Sequence, residues 1–96
     1  MFRRAAELAP RDWQVQRNLA TALLDTRNAE EAATHARETI ALKPDDAAAH
    51  ELLGRALAVQ GRIDDAIAEI RRAIELDPND TQSREDLKRL SRLKSR

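Results

Sequence analysis

Residues 42–46 read Leu-Lys-Pro-Asp-Asp, and residues 76–80 read Leu-Asp-Pro-Asn-Asp. Residues 8–12, Leu-Ala-Pro-Arg-Asp, carry the same L-x-P-x-D pattern, and the three prolines stand 34 residues apart. Superposing 13–46 on 47–80 brings nine identical residues into register: Leu19/Leu53, Ala22/Ala56, Leu23/Leu57, Ala32/Ala66, Arg37/Arg71, Ile40/Ile74, Leu42/Leu76, Pro44/Pro78 and Asp46/Asp80. Most are small or branched apolar residues at helical spacing, which is what a shared buried face needs. A fixed period of this length marks a stack of similar units, each leaning on the next.

Each unit divides into two helices. Proline ends one helix, because it lacks an N–H and biases the residue before it away from the helical region. The Asp two positions later supplies a cap for the free N–H groups of the next helix. Gly61 offers a left-handed stop inside the second unit; in the first unit the same turn reads Arg27-Asn28, with Asn28 expected to go left-handed or to cap. These signals predict helices near 2–9, 12–26, 29–42, 46–60, 63–76 and 80–94. The predicted core is Leu19, Leu23, Ala32, Ile40, Leu53, Leu57, Ala66, Ile67, Ile70 and Ile74, with Gly54 at a close approach of two helices.

Composition agrees. The chain has 96 residues, with 18 Ala and 12 Leu but only Phe2 and Trp13 as aromatics, a helix-forming and strand-poor mixture. A chain this short buries only about 60–65% of its unfolded surface, which leaves little room for a large enzyme core. There is no Cys, so disulfide frameworks and thiolate metal sites are excluded. No apolar run nears the roughly 18 residues of a membrane span, and no signal-peptide pattern opens the chain, which favours the cytoplasm. Seventeen basic and 17 acidic groups cancel overall, yet residues 45–80 are net −5 and residues 81–96 net +4. The basic tail reads as a solvated helix face. It has no aromatics for base stacking, so nucleic acid is not an expected partner.

Chemistry-bearing constellations are missing. His35 and His50 fall on different helices without the i,i+4 spacing of a zinc pair, and both are expected at the surface or at the rim of the core. Gly54 and Gly61 are the only glycines, so no phosphate loop exists. Glu30-Glu31, Asp45-Asp46 and Asp64-Asp65 lie at helix starts, where they favour the positive end of the helix dipole. The reading is a non-enzyme without metal or cofactor.

At 34 residues per unit the chain resembles the tetratricopeptide repeat family. Leu19-Ala20 with Leu23, and Leu53-Gly54 with Leu57, fill the family's first-helix positions. Ala32 and Ala66 fill the small position early in the second helix, and Ile70, Ala73 and Pro78 follow its later pattern. Ala36 and Thr39 follow it only in part. The family's Trp position is Gln16 in one repeat and His50 in the other, and its Tyr position is Leu in both. The resemblance implies an all-α, right-handed superhelical solenoid of antiparallel helix pairs. It divides the single domain 1–96 into the tail of an incomplete repeat (1–11), repeat one (13–46), repeat two (47–80) and a capping helix (81–96).

It also implies a non-catalytic scaffold that binds a peptide segment of a partner protein in the groove of the first helices. Mapped here, that groove is Gln14, Arg17, Thr21 and Asp25, then Ala48, Glu51, Arg55 and Val59, then Gln82, Glu85, Arg89 and Arg92. Contact is expected from Arg17, Thr21, Glu51, Arg55, Arg89 and Arg92, and the arginines favour an acidic or amphipathic segment. Glu51–Arg55 and Glu85–Arg89 have the i,i+4 spacing of helix-stabilising pairs, which would partly neutralise those arginines. One subfamily holds a ligand's terminal carboxylate with Lys, Arg and Asn. Arg17 fits that set, whereas Thr21, Leu52, Gln82 and Asp86 do not. The alternative role is self-assembly into a homo-oligomer through the incomplete N-terminal repeat, using Phe2, Ala5, Leu8 and Trp13.

Overall fold

The computed structural model describes residues 12–95. They form five helices: α1 Trp13–Asp25, α2 Ala29–Leu42, α3 Ala47–Val59, α4 Ile63–Leu76 and α5 Thr81–Lys94. The architecture is an all-α, right-handed solenoid of antiparallel helix pairs. Each helix packs on its successor. In addition α1 touches α3 and α3 touches α5, while α2 and α4 do not meet. Tight stacking on one side only bends the array, so α1, α3 and α5 line its concave face.

Local chemistry sets the boundaries. Lys43 and Asp77, each just before a proline, take φ of −143° and −140°, and the preceding helices end at Leu42 and Leu76. Asp12 and Asp80 stand outside the helices they cap, which trims the expected spans by one residue: Asp12 Oδ1 accepts from the Gln14 and Val15 amides at 2.9 and 3.4 Å, and Asp80 Oδ1 from the Ser83 amide at 3.2 Å. Asp46 has the same place before α3 but makes no side-chain cap. The predicted helix at 2–9 lies outside the described residues.

Both turns within the pairs close in one way. The Asn28 amide donates to the Leu23 carbonyl and the Arg27 amide to Leu24; 34 residues on, Arg62 donates to Leu57 and Gly61 to Ala58. This pair of bonds needs a left-handed residue. Gly61 supplies it at φ 82°, and Arg27 does so at φ 64°. The expectation that Asn28 would turn left-handed or cap is therefore corrected: it has φ −87° and makes no side-chain cap, and its Nδ2 donates to Thr26 Oγ1.

The core unites Ala20, Ala32, Ala36, Leu52, Leu53, Ala56, Leu57, Ala66, Ile67, Ile70 and Leu90. Leu19 is also buried. Leu23, Ile40 and Ile74 pack against the cluster but stay half-buried, as happens where a small domain leaves the rim of its core wet. A Cβ on Gly54 would lie 2.7 Å from both Cγ1 and Cδ1 of the fully buried Ile70, and 3.1 Å from the Ala66 carbonyl oxygen. Glycine is what lets α3 and α4 come this close.

Candidate functional site

A cleft of about 540 Å³ opens on the concave face between the C-terminal halves of α1 and α3 and the body of α5. Leu24, Ala58, Val59, Leu90 and Leu93 give it an apolar bed, and Arg27, Arg55 and Arg89 stand with Asp25 and Asp86 around it. Val59 and Leu93 are 62% and 47% exposed, unusual for such side chains on a helix that packs elsewhere. Arg55 and Arg89 make no hydrogen bond or ion pair among the described residues. The i,i+4 pairs anticipated for them do not form. Glu51 is drawn to α5 by Ser83, and Glu85 faces Lys88 at 3.6 Å. Arg55 and Arg89 are thus held in no ion pair, although Asp25 and Asp86 share the cleft and Arg55 acts on Glu51 through its field.

Of the six residues expected to touch a ligand, Arg55 and Arg89 share this cleft. Arg92 is exposed on α5 beyond it, and Thr21 is exposed with its hydroxyl donating to the Arg17 carbonyl. Arg17 points to the α1–α3 contact instead. Its Nη1 reaches Asp46 Oδ1 at 3.3 Å, and its guanidinium lies 5.1 Å from the Trp13 ring centroid. Lys43 covers the same ring at 4.8 Å, so Trp13 is flanked by two cations. Phe2, Ala5 and Leu8 lie outside the described residues. Leu24, Arg27, Leu90 and Leu93 are cleft residues that sequence reasoning missed. The leucines Leu87, Leu90 and Leu93, three apart along α5, were the available signal.

The sixth residue, Glu51, sits in an acidic knot at the α3–α5 contact. Ser83 Oγ lies 3.2 Å from Glu51 Oε2 and 2.6 Å from Asp80 Oδ2. Gln82 Nε2 donates to Asp86 Oδ1 at 3.0 Å, and Asp86 Oδ2 is buried with no partner. Burial, and then the carboxylates of Asp80 and Asp86, push the Glu51 carboxyl above its ordinary pKa; Ser83 and Arg55 oppose that shift.

Two buried polar struts tie the first helix of each pair to the second. Gln16 Oε1 accepts from or faces His35 Nδ1 at 2.7 Å, and His50 Nδ1 faces Glu69 Oε1 at 2.8 Å. His50 Nε2 also faces the Pro44 carbonyl at 2.9 Å. His35 is half-buried at the rim, whereas His50 is 8% exposed, which corrects the expectation of a surface or rim residue there: it fills an interior position, and hydrogen bonds compensate its burial. Among the described residues no group of three His, Asp or Glu side chains is placed to hold a metal, and no helix is long and apolar enough to cross a membrane.

Comparison with known proteins points the same way. The family model described as "Tetratricopeptide repeat" matches residues 1–46 and 17–81. No curated protein sequence matches. Among solved structures the chain is similar to the first TPR of Spaghetti (RPAP3) bound to the HSP90 peptide SRMEEVD, with TM-score 0.95 and 19% identity over 99% of this chain and 75% of that one. It is similar to the second TPR domain of human RPAP3 in complex with the HSP70 peptide SGPTIEEVD, with TM-score 0.89 and 21% identity over 94% and 75%. It is also similar to MamA from Desulfovibrio magneticus RS-1, with TM-score 0.92 and 23% identity over 98% and 53%. At these identities the likeness is one of fold.

Proposed function

The chain belongs to the tetratricopeptide repeat family, and we propose that it is a non-catalytic scaffold holding a peptide segment of a partner protein on the face of α1, α3 and α5. The observation that carries this reading is the cleft: an apolar bed beside Arg55 and Arg89, neither of which is held in an ion pair. An isolated arginine gains little in water, but next to exposed Leu93 and Val59 it can pair with a carboxylate while the ligand's apolar side chains cover the leucines. The favoured ligand is therefore an amphipathic segment with acidic residues. Spaghetti and human RPAP3, of the same fold, were solved with peptides ending Glu-Glu-Val-Asp, which supports this fold accepting a short acidic segment.

Because the charged contacts are rim-exposed, binding should weaken with salt. The test uses peptides selected from a displayed random library on the intact chain. Arg55→Ala with Arg89→Ala should weaken the selected peptides at least tenfold and leave the melting temperature within a degree or two, since neither arginine is paired. Unchanged affinity would remove the cleft from the reading.

A further inference from the structure

The 34-residue period lets one half of the molecule serve as a control for the other. Arg27 closes the α1–α2 turn and Gly61, its counterpart, closes the α3–α4 turn with the same pair of backbone bonds. Glycine takes the left-handed conformation freely, whereas Arg27 is held at φ 64° against the preference of a residue with a Cβ. The turn itself does not call for arginine, since Gly61 makes it equally well. A cation gains from the negative end of a helix dipole, but a basic residue slightly earlier in the last turn of α1 would gain the same with a helical φ. Strain of this kind persists where something besides the fold keeps it.

The two turns differ in their surroundings. Arg27 lines the concave cleft and Gly61 does not. The row of first-helix positions that brings Arg55 on α3 and Arg89 on α5 to the cleft has Thr21 on α1, and the Thr21 hydroxyl donates back to the Arg17 carbonyl of its own helix. Arg27 therefore supplies, from the turn, the cation that α1 lacks in that row. Its side chain makes no hydrogen bond or ion pair among the described residues, not even with Asp25 two positions before it. The cleft then holds three arginines against two carboxylates, Asp25 and Asp86, and Asp86 already accepts from Gln82. That balance suits an acidic occupant.

We propose that Arg27 is a specificity-determining residue of the peptide site: its guanidinium binds a second carboxylate of the bound segment at the α1 edge of the cleft, and the left-handed turn is kept because it places it there. The inference rests on the concave face being the peptide site and adds a rule to it. The segment carries two acidic side chains, one for Arg27 and one for Arg55 and Arg89, with apolar residues between them over Leu24, Val59 and Leu93. Arginine suits the edge position, because its planar fork can hold a carboxylate by two bonds. A segment with one acid engages one edge only and binds more weakly.

The probe is the tightest peptide selected on the intact chain from a displayed random library, synthesised with acetyl and amide ends so that only side-chain carboxylates meet the arginines. Its affinity is measured for the parent, Arg27→Gly and Arg89→Ala, and again after each acid of the peptide is changed to its amide. Arg27→Gly should melt at the parent's temperature or slightly above it and yet bind about fivefold more weakly, the upper range for an exposed ion pair. A role in the turn alone would not move affinity. Neutralising one particular acid of the peptide should cost nothing more on Arg27→Gly, and a different acid should behave so on Arg89→Ala. Arg27→Asn, which also tolerates the left-handed region, should repeat the result of Arg27→Gly. Affinity unchanged in both Arg27 variants overturns the proposal, as does a loss that couples to no single acid or to the acid read by Arg89. If Arg55→Ala with Arg89→Ala weakens binding while the Arg27 variants do not, only the assignment of Arg27 falls. If none of the three arginines matters, or no peptide is selected, the scaffold reading falls and Arg27 with it.

Discussion

The α1–α2–α3 half and the α3–α4–α5 half of this molecule share a backbone plan and differ in how they fill it. Where the first half sets Gln16 against His35, the second sets His50 against Glu69. Ala20 and Ala36 in the first half become Gly54 and Ile70 in the second, so a lost methyl on one helix is answered by a larger side chain on the other. Arg27 becomes Gly61 at the left-handed turn. Arg17–Asp46 becomes Glu51–Asp80. Three of these exchanges conserve the local physics. The fourth does not, since it turns attraction into repulsion. A repeat can drift as long as most contacts keep their complement, and the Glu51 exchange is the one whose electrostatics differ between the halves.

The largest effect should come from the core, and it should differ between halves. Leu57 is buried at 3% exposure, while its counterpart Leu23 is half-buried. Leu57→Ala should cost about 2–5 kcal/mol, a large part of a small domain's stability. Leu23→Ala should cost less, because water already reaches that side chain and can occupy the space left. Urea unfolding of both variants checks the order. Equal losses would mean that the two halves share one core without a rim.

The period, the helix ends at Pro44 and Pro78, the caps at Asp12 and Asp80 and the close approach at Gly54 were all legible in the sequence. Each depends on residues near in the chain or on a backbone rule specific to Gly or Pro. The buried struts were not legible. A hydrophobic pattern treats Gln16 and His50 as wet positions, and only the packing of α1 on α2 and α3 on α4 brings partners 19 residues away to them. Asp46 read as a cap for the same reason, since nothing local shows that Arg17 reaches it. The cleft was half legible. Arg55 and Arg89 follow from the face of the first helices, but Arg27 joins them through a turn conformation that a non-glycine residue rarely adopts.

Next in size is the Gly54–Ile70 contact. Gly54→Ala gains helix propensity of up to about 1 kcal/mol but forces a Cβ to within 2.7 Å of Ile70, which is fully buried and has nowhere to retreat. Overpacking of this kind costs about 1–3 kcal/mol, so the net change should be a loss. Gly54→Ala with Ile70→Ala rebuilds the Ala20/Ala36 arrangement of the first half. Its loss should be smaller than the sum of the single losses, a coupling that a double-mutant cycle measures directly. Simple additivity would show that the two residues do not compensate each other.

The turn exchange should give a smaller effect. A Cβ at Gly61 would meet nothing within 4 Å, so Gly61→Ala isolates the backbone cost of φ 82°, about 1 kcal/mol. Arg27→Gly relieves the matching strain at φ 64°, but the looser unfolded chain returns part of that gain. A rise of a few tenths of a kcal/mol in unfolding free energy is expected. Opposite signs for the two variants would confirm that the turns are equivalent.

The smallest effect belongs to the unmatched contact and is one of pH. Burial together with Asp80 and Asp86 raises the folded-state pKa of Glu51. The folded protein therefore holds this proton where the unfolded chain has released it. Stability then falls as pH rises from the unfolded pKa through the folded one, and the full cost of the ionised acid is present above that range. Acidification should relieve the cost, opposite to the usual trend for carboxylates held by cations. Water reaches Glu51 and screens it, so the effect stays below those of the core and the turn. Melting curves of the parent and Glu51→Gln, taken in steps from pH 4 to pH 8, isolate it from Asp12, Asp46 and the other acids common to both. The advantage of Glu51→Gln over the parent should grow with pH and level off above the folded pKa. An advantage independent of pH would mean that Glu51 ionises in the folded protein as it does in the unfolded chain, and the two halves would then differ in residue but not in electrostatics.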